Sequence, residues 1–219
     1  MYKDQWNHTK KLTVTAMLAA LIFLMTFFGI GIIPLPFMRP TTLHIPVIIG
    51  ALLLGPKYGA VLGFVFGMAS MLFATFFPGA TSFVFSPFID LPGTSNGSII
   101  ALVVAFVPRV LIGVVAWYVF AALDALFKSG KRPITWAVAG LAGALTNTLL
   151  VLHFIFFFFG DTWNNARATP FDAIYLGILS MIAVNGIPEA IASAIIVPAI
   201  VGALVAVISR VPARVQPQS

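Results

Sequence analysis

GPKYGAVLGFVFG, residues 55–67, is the stretch from which the rest of the chain can be read. Glycine stands at 55, 59, 63 and 67, every fourth position of a segment that is otherwise apolar. Glycine is a poor helix former, so four of them on one side of a helix need a reason. Pro56 and Lys57 follow Gly55, and a proline stops one helix and opens the next. Gly55 therefore belongs to a turn, and the helical stripe is Gly59, Gly63 and Gly67, which the 3.6-residue period keeps near one face. In lipid such a stripe lets a second helix approach closely. It reads first as a dimer seam; in a helix bundle the expected partner is another helix of the same chain.

The surrounding sequence is built for lipid. Of 219 residues, 60% are hydrophobic and 8% charged, and apolar runs recur from Leu12 to Ile208. Such a chain cannot keep a polar surface around a water-soluble core. Six apolar segments emerge, at about 12–33, 42–54, 57–77, 98–127, 133–159 and 172–209. The first is long enough to cross a bilayer and is followed by no small-residue cleavage site, so it reads as a retained helix. The expected fold is all-α: a six-transmembrane-helix bundle forming a single integral membrane domain over residues 1–219.

The net charge is +6, and the positions of the basic residues make it a topology signal instead of a nucleic-acid footprint. With a cytoplasmic amino terminus, the inner side holds Lys3, Lys10, Lys11, Lys57, Lys128, Lys131, Arg132, Arg210 and Arg214. The outer side holds Arg39 and Arg167. Both termini are then expected in the cytoplasm, with outer connections at about 34–41, 78–97 and 160–171. The middle one, PGATSFVFSPFIDLPGTSNG, is rich in Pro, Gly and Ser yet carries Phe83, Phe85, Phe88 and Leu91. It reads either as a lid over the outer mouth or as a loop resting in the headgroups.

Several chemistries lack their motifs. No G-x-x-x-x-G-K-[ST] phosphate loop, H-E-x-x-H or G-x-S-x-G occurs, which removes the usual signatures of ATP hydrolysis, zinc proteolysis and serine hydrolysis. Cysteine is absent and His8, His44 and His153 are far apart, so neither a metal site nor a catalytic residue is expected. Transport or binding leads. An intramembrane enzyme using Glu189 or His153, or a solitary secondary transporter, stands behind it.

Polar groups at membrane depth are costly and point to function. Arg109, in AFVPRVLIG, lies about ten residues into the fourth segment. At roughly 2.5–3.5 kcal/mol for a lone buried arginine, it needs a partner, either a substrate carboxylate held bidentately or Glu189 of the last segment. Asn147 in LTNTLL and Asn185 in AVNGIP fall at similar depths. Each amide suits the hydroxyl or amide groups of a ligand, or a bond between helices. His44, in TTLHIPV, begins the second segment, at a pocket mouth or at the interface. His153 and Trp163 carry the same ambiguity, Trp163 as a residue of the aromatic belt.

The chain resembles the substrate-binding S-components of energy-coupling factor (ECF) vitamin transporters. The resemblance covers about 12–209 and rests on the six-segment layout, on TTLHIPVIIGALLLGPKYGAVLGFVFG, on SFVFSPF and FVPRVLIGV, and on an early A-x-x-x-A, here Ala16 and Ala20. It implies a multi-pass protein of the bacterial plasma membrane that captures a vitamin beneath its outer loops and then topples to release it inward. Its implied partners are a transmembrane coupling subunit, docked on the Ala16–Ala20 face, and two ATPase subunits. ATP is used by those subunits, with no cofactor in this chain. Among family members it looks most like the pantothenate type. Pantothenate carries one carboxylate, an amide and two hydroxyls, which suits one arginine with Asn147, His44 and Asn185 around it. Folate, biotin, riboflavin, pyridoxine, a thiamin precursor and cobalamin are the alternatives.

Overall fold

A computed structural model describes residues 7–30, 42–79, 81–127, 132–167, 176–177, 179–180 and 182–210, with side chains to 162 in the fifth helix and to 207 in the last. The connection at 34–41, Lys3, Arg39, Lys128, Lys131, Arg214, the side chains of Trp163 and Arg167, and the start of the last segment at 172 lie outside the described residues.

Six α-helices and no strand occur among the described residues: α1 His8–Phe28, α2 His44–Leu54, α3 Pro56–Phe76, α4 Ile100–Leu126, α5 Arg132–Arg167 and α6 Ile187–Arg210. A π turn, Ile182–Gly186, leads into α6, and a 3₁₀ turn, Ser82–Val84, interrupts the α3–α4 connection. Among the described residues, five helical spans are long and apolar enough to cross a membrane: His8–Phe28, Pro56–Phe76, Ile100–Leu126, Arg132–Thr162 and Ile182–Val207. The α2 helix has 11 residues. At 1.5 Å per residue it covers about 16 Å, half of a hydrocarbon core of about 30 Å.

Local chemistry sets the ends of these helices. Gly29 takes a left-handed conformation (φ 65°, ψ 18°) and closes α1 after Phe28, as glycine does at helix C-termini. Apolar residues continue to Ile33, so hydropathy alone placed this end five residues late. Gly55 has φ 109° and its N–H donates to the Ala51 carbonyl at 2.9 Å; Pro56 then opens α3, where its missing N–H costs nothing. The α5 helix runs on to Arg167 through GDTWNNAR, a polar stretch that contains no proline.

The short α2 is the centre of the molecule. Its residues 44–51 and Leu54 are buried, and it packs against α1, α3, α4, α5 and α6. The long helices succeed one another around it: α1 on α3, α3 on α4, α4 on α5 and α5 on α6. Ile48, Leu62, Ile112, Val197 and Val201 form the main core. A second cluster ties Phe83 and Val84 of the 3₁₀ turn to Ala101 and Val104 of α4 and to Val151 and Phe159 of α5. Large apolar side chains such as Met17, Phe28, Tyr118 and Phe157 stand exposed on the outside, the surface that lipid covers in a membrane protein.

The glycine stripe faces α4. A methyl at Gly59 would lie 2.6 Å from the Ala51 Cβ and 3.1 Å from the Gly113 Cα; at Gly67 it would lie 2.8 Å from the Ala105 carbonyl oxygen. At Gly63 it would run into the Arg109 carbonyl, with the Val110 Cα at 2.7 Å. Close backbone approach supplies dispersion contact where no hydrophobic effect operates between helices in lipid. It also fixes the height and rotation of the α4 turn that carries Arg109.

Candidate functional site

Arg109 is 7% exposed, and its surroundings follow from the residue before it. Pro108 sits inside α4 and has no N–H to offer the carbonyl four residues back, that of Val104. Helical side chains lean toward the helix N-terminus, which carries the Arg109 guanidinium to that open acceptor. Its Nη1 donates to the Val104 carbonyl at 2.6 Å. The guanidinium carbon lies 4.9 Å from the centre of the Phe85 ring and 5.6 Å from that of Phe66. Two aromatic faces and one carbonyl dipole stabilise the charge, since a ring face attracts a cation and a charge-assisted bond is stronger than a neutral one. Nε is buried with no hydrogen-bond partner, and Arg109 makes no ion pair among the described residues. A guanidinium with one donor used and another buried and idle is suited to accept a planar anion.

Phe85 comes from the α3–α4 connection, so this loop is a wall of the site. Residues 82–84 and Ser86 are buried. The Phe83 ring meets Phe159 of α5 edge-on, with centroids 5.8 Å apart, and the Ser86 and Thr75 hydroxyls share a hydrogen bond of 2.7 Å. The Gly79 N–H donates to the Ser82 hydroxyl at 2.8 Å. The first half of the loop is thus pinned to α3, α4 and α5, while residues 92–97 are exposed, where Leu91 N–H meets the Asn96 carbonyl at 3.1 Å across a turn with Gly93 at φ 82°.

A second polar group lies where α5 meets α6. The Thr148 hydroxyl donates to Oε2 of the buried Glu189 at 3.2 Å. A methyl at Gly186 would stand 2.9 Å from the Thr148 side chain, so the two helices are in close contact there. Asn147 and Asn185 are the chain neighbours of that contact, and each has a buried Oδ1 with no hydrogen-bond partner. Asn185 sits in the π turn. Pro188, four residues beyond Val184, cannot donate to the Val184 carbonyl, which favours the wider turn. One helical turn further along α6, Ser193 Oγ lies 2.6 Å from Nε2 of the buried His44, joining α6 to α2.

The predicted site residues therefore fall into separate contacts. No hydrogen bond or ion pair joins Arg109 to His44, Asn147, Asn185 or Glu189 among the described residues. Val104, whose carbonyl holds Arg109, shares a buried cluster with Val151, one helical turn from Asn147, which brings the two polar groups to the same part of the bundle. His153 Nδ1 donates to the Leu149 carbonyl at 2.7 Å within its own helix. Sequence reasoning missed Phe66, Thr148, Ser193 and the Val104 carbonyl, and noticed Phe85 only as an oily loop residue. Pro108 was the available signal for Val104, since the orphaned carbonyl always lies four residues before a helical proline. Ala16 and Ala20 are exposed on α1.

An all-helical chain with several spans long and apolar enough to cross a membrane is built as a multi-pass membrane protein, and this one buries a guanidinium among those helices. The family model for the substrate-specific component of ECF transporters matches residues 10–201, and the chain belongs to that family. It is therefore a plasma-membrane transporter component that works with an ECF module, not an enzyme. The pantothenic acid transporter PanT of Lactococcus lactis subsp. cremoris is 37% identical over 93% of this chain and 96% of its own length. The pantothenate transporter PanT of Leuconostoc mesenteroides subsp. mesenteroides is 28% identical, with the same coverage of each chain.

Proposed function

We propose that this protein is the pantothenate-binding subunit of a bacterial ECF-type uptake system. The observation that carries the reading is Arg109: a buried guanidinium between Phe66 and Phe85, with its Nε unpartnered. Pantothenate brings the single carboxylate that completes it. Asn147 and Asn185, with idle buried oxygens, accept from the ligand's hydroxyl and amide donors. His44, held by Ser193, closes the site at the start of α2. The two relatives, both named as pantothenate transporters, support this choice of vitamin over folate, riboflavin, pyridoxine or cobalamin.

The finer topology belongs to the same proposal. The chain forms one membrane domain of six transmembrane segments, α2 being the short one, with both termini cytoplasmic, as the positive-inside asymmetry favours. The α3–α4 connection and the start of α4 then face outward, so substrate enters from outside beneath the loop. A transmembrane coupling subunit docks on α1 at Ala16 and Ala20, two ATPase subunits supply the energy, and this chain holds no cofactor and no metal.

Purified protein offered a panel of vitamins should bind pantothenate and leave the others in solution. Failure to bind pantothenate, or tighter binding of a different vitamin, overturns the reading. In vesicles, uptake should require the coupling subunits and ATP; uptake by this chain alone would make it a secondary transporter.

A further inference from the structure

We infer that Pro108 is a positioning residue for substrate, acting through Arg109. The inference rests on the reading of Arg109 as the carboxylate anchor and adds a cause for its geometry. An arginine has four rotatable side-chain bonds and, free in a cavity, must lose that freedom when a ligand arrives. Here much of it is already lost. Pro108 removes the backbone donor that would occupy the Val104 carbonyl, and Nη1 of Arg109 takes that acceptor at 2.6 Å. Phe66 and Phe85 then hold the guanidinium plane from the sides. One edge of the guanidinium is spent on the chain itself, and the buried Nε remains without a partner. Proline in a helix interior costs about 3 kcal/mol. In α4 it lies on the buried face beside the anchor, where the stripe of Gly63 and Gly67 presses on the backbone of residues 105–110.

Replacing Pro108 by alanine returns an N–H to the ladder. The Val104 carbonyl regains its helical donor and tilts back along the axis, and Arg109 loses the acceptor that orients it. The helix itself becomes easier to form. Binding and stability should therefore move in opposite directions, which a purely structural proline would not produce.

The test is a cycle of P108A, R109A and the double variant, each titrated with pantothenate and with its neutral analogue in which the carboxylate is reduced to an alcohol, alongside thermal unfolding without ligand. Ordering one rotamer-rich side chain on binding weakens affinity by about 2- to 12-fold. P108A should show that loss for pantothenate and less than about 2-fold for the neutral analogue. Its unfolding temperature should be equal to or above that of the wild type. In the R109A background, adding P108A should change affinity by less than about 2-fold. Wild-type affinity in P108A overturns the inference, as does an equal loss for both ligands, or the same loss with and without Arg109. A P108A protein that fails to fold overturns it too, because Pro108 would then be a packing residue. If R109A alone binds both ligands like the wild type, the anchor reading has failed, whatever P108A does.

Discussion

Replacing Gly63 by alanine asks the α3–α4 seam to hold a methyl group where there is no room. The new Cβ would lie 2.7 Å from the Arg109 carbonyl carbon and 2.7 Å from the Val110 Cα, with the Arg109 carbonyl oxygen nearer still. Non-bonded carbons sit comfortably at about 3.5–4.0 Å, so the two helices must part by about 1 Å at this level. These three nearest atoms are all backbone, so rotating a side chain does not relieve their clash. Overpacking of this kind costs about 1–3 kcal/mol, and for a chain of this size each kcal/mol lowers the unfolding temperature by roughly 2–4 °C. A fall of roughly 2–12 °C is expected in a detergent melt. Pantothenate affinity should fall with it, since the displaced backbone is that of Arg109. Gly79, with nothing within 4 Å of its added Cβ, is the control: G79A should melt and bind like the wild type. G63A with wild-type melting and affinity would refute the claim that the glycine stripe sets the α3–α4 spacing and the position of Arg109.

Two further outcomes follow from the α5–α6 contact. N147A and N185A should each weaken pantothenate binding by about 0.5–1.5 kcal/mol, roughly 2- to 12-fold, and should have a smaller effect on an analogue lacking the hydroxyl groups; calorimetric titration of each variant with both ligands checks this. T148V removes the hydroxyl that donates to Glu189 and should lower stability by about 1–3 kcal/mol, read as an earlier thermal transition without ligand, because a buried carboxylate loses a donor.

What the sequence revealed and what it hid divide along chain separation. The glycine stripe and the Gly55–Pro56 turn are local, set by spacing within a few residues; the open carbonyl four residues ahead of Pro108 is equally local but went unread. The end of α1 escaped because Gly29 interrupts a run that stays apolar beyond it, and hydropathy does not register a left-handed glycine. The length of α5 escaped for the converse reason: GDTWNNAR is polar but nothing in it breaks a helix. The site itself is assembled from distant residues. Phe66, Phe85 and Arg109 meet only because Gly63 and Gly67 let α3 close on α4 while the 82–86 segment folds back over both. Thr148 with Glu189, and His44 with Ser193, likewise depend on how the helices succeed one another around α2. A stripe of glycines announces that a helix comes close without saying which one.

The most direct measurement is a structure of the protein with pantothenate bound. The carboxylate should lie within hydrogen-bonding distance of the Arg109 guanidinium, between Phe66 and Phe85, with the hydroxyl end directed toward Asn147 and Asn185. A carboxylate bound away from Arg109, or a ligand outside the space between the α3–α4 connection and the α5–α6 contact, would contradict the account.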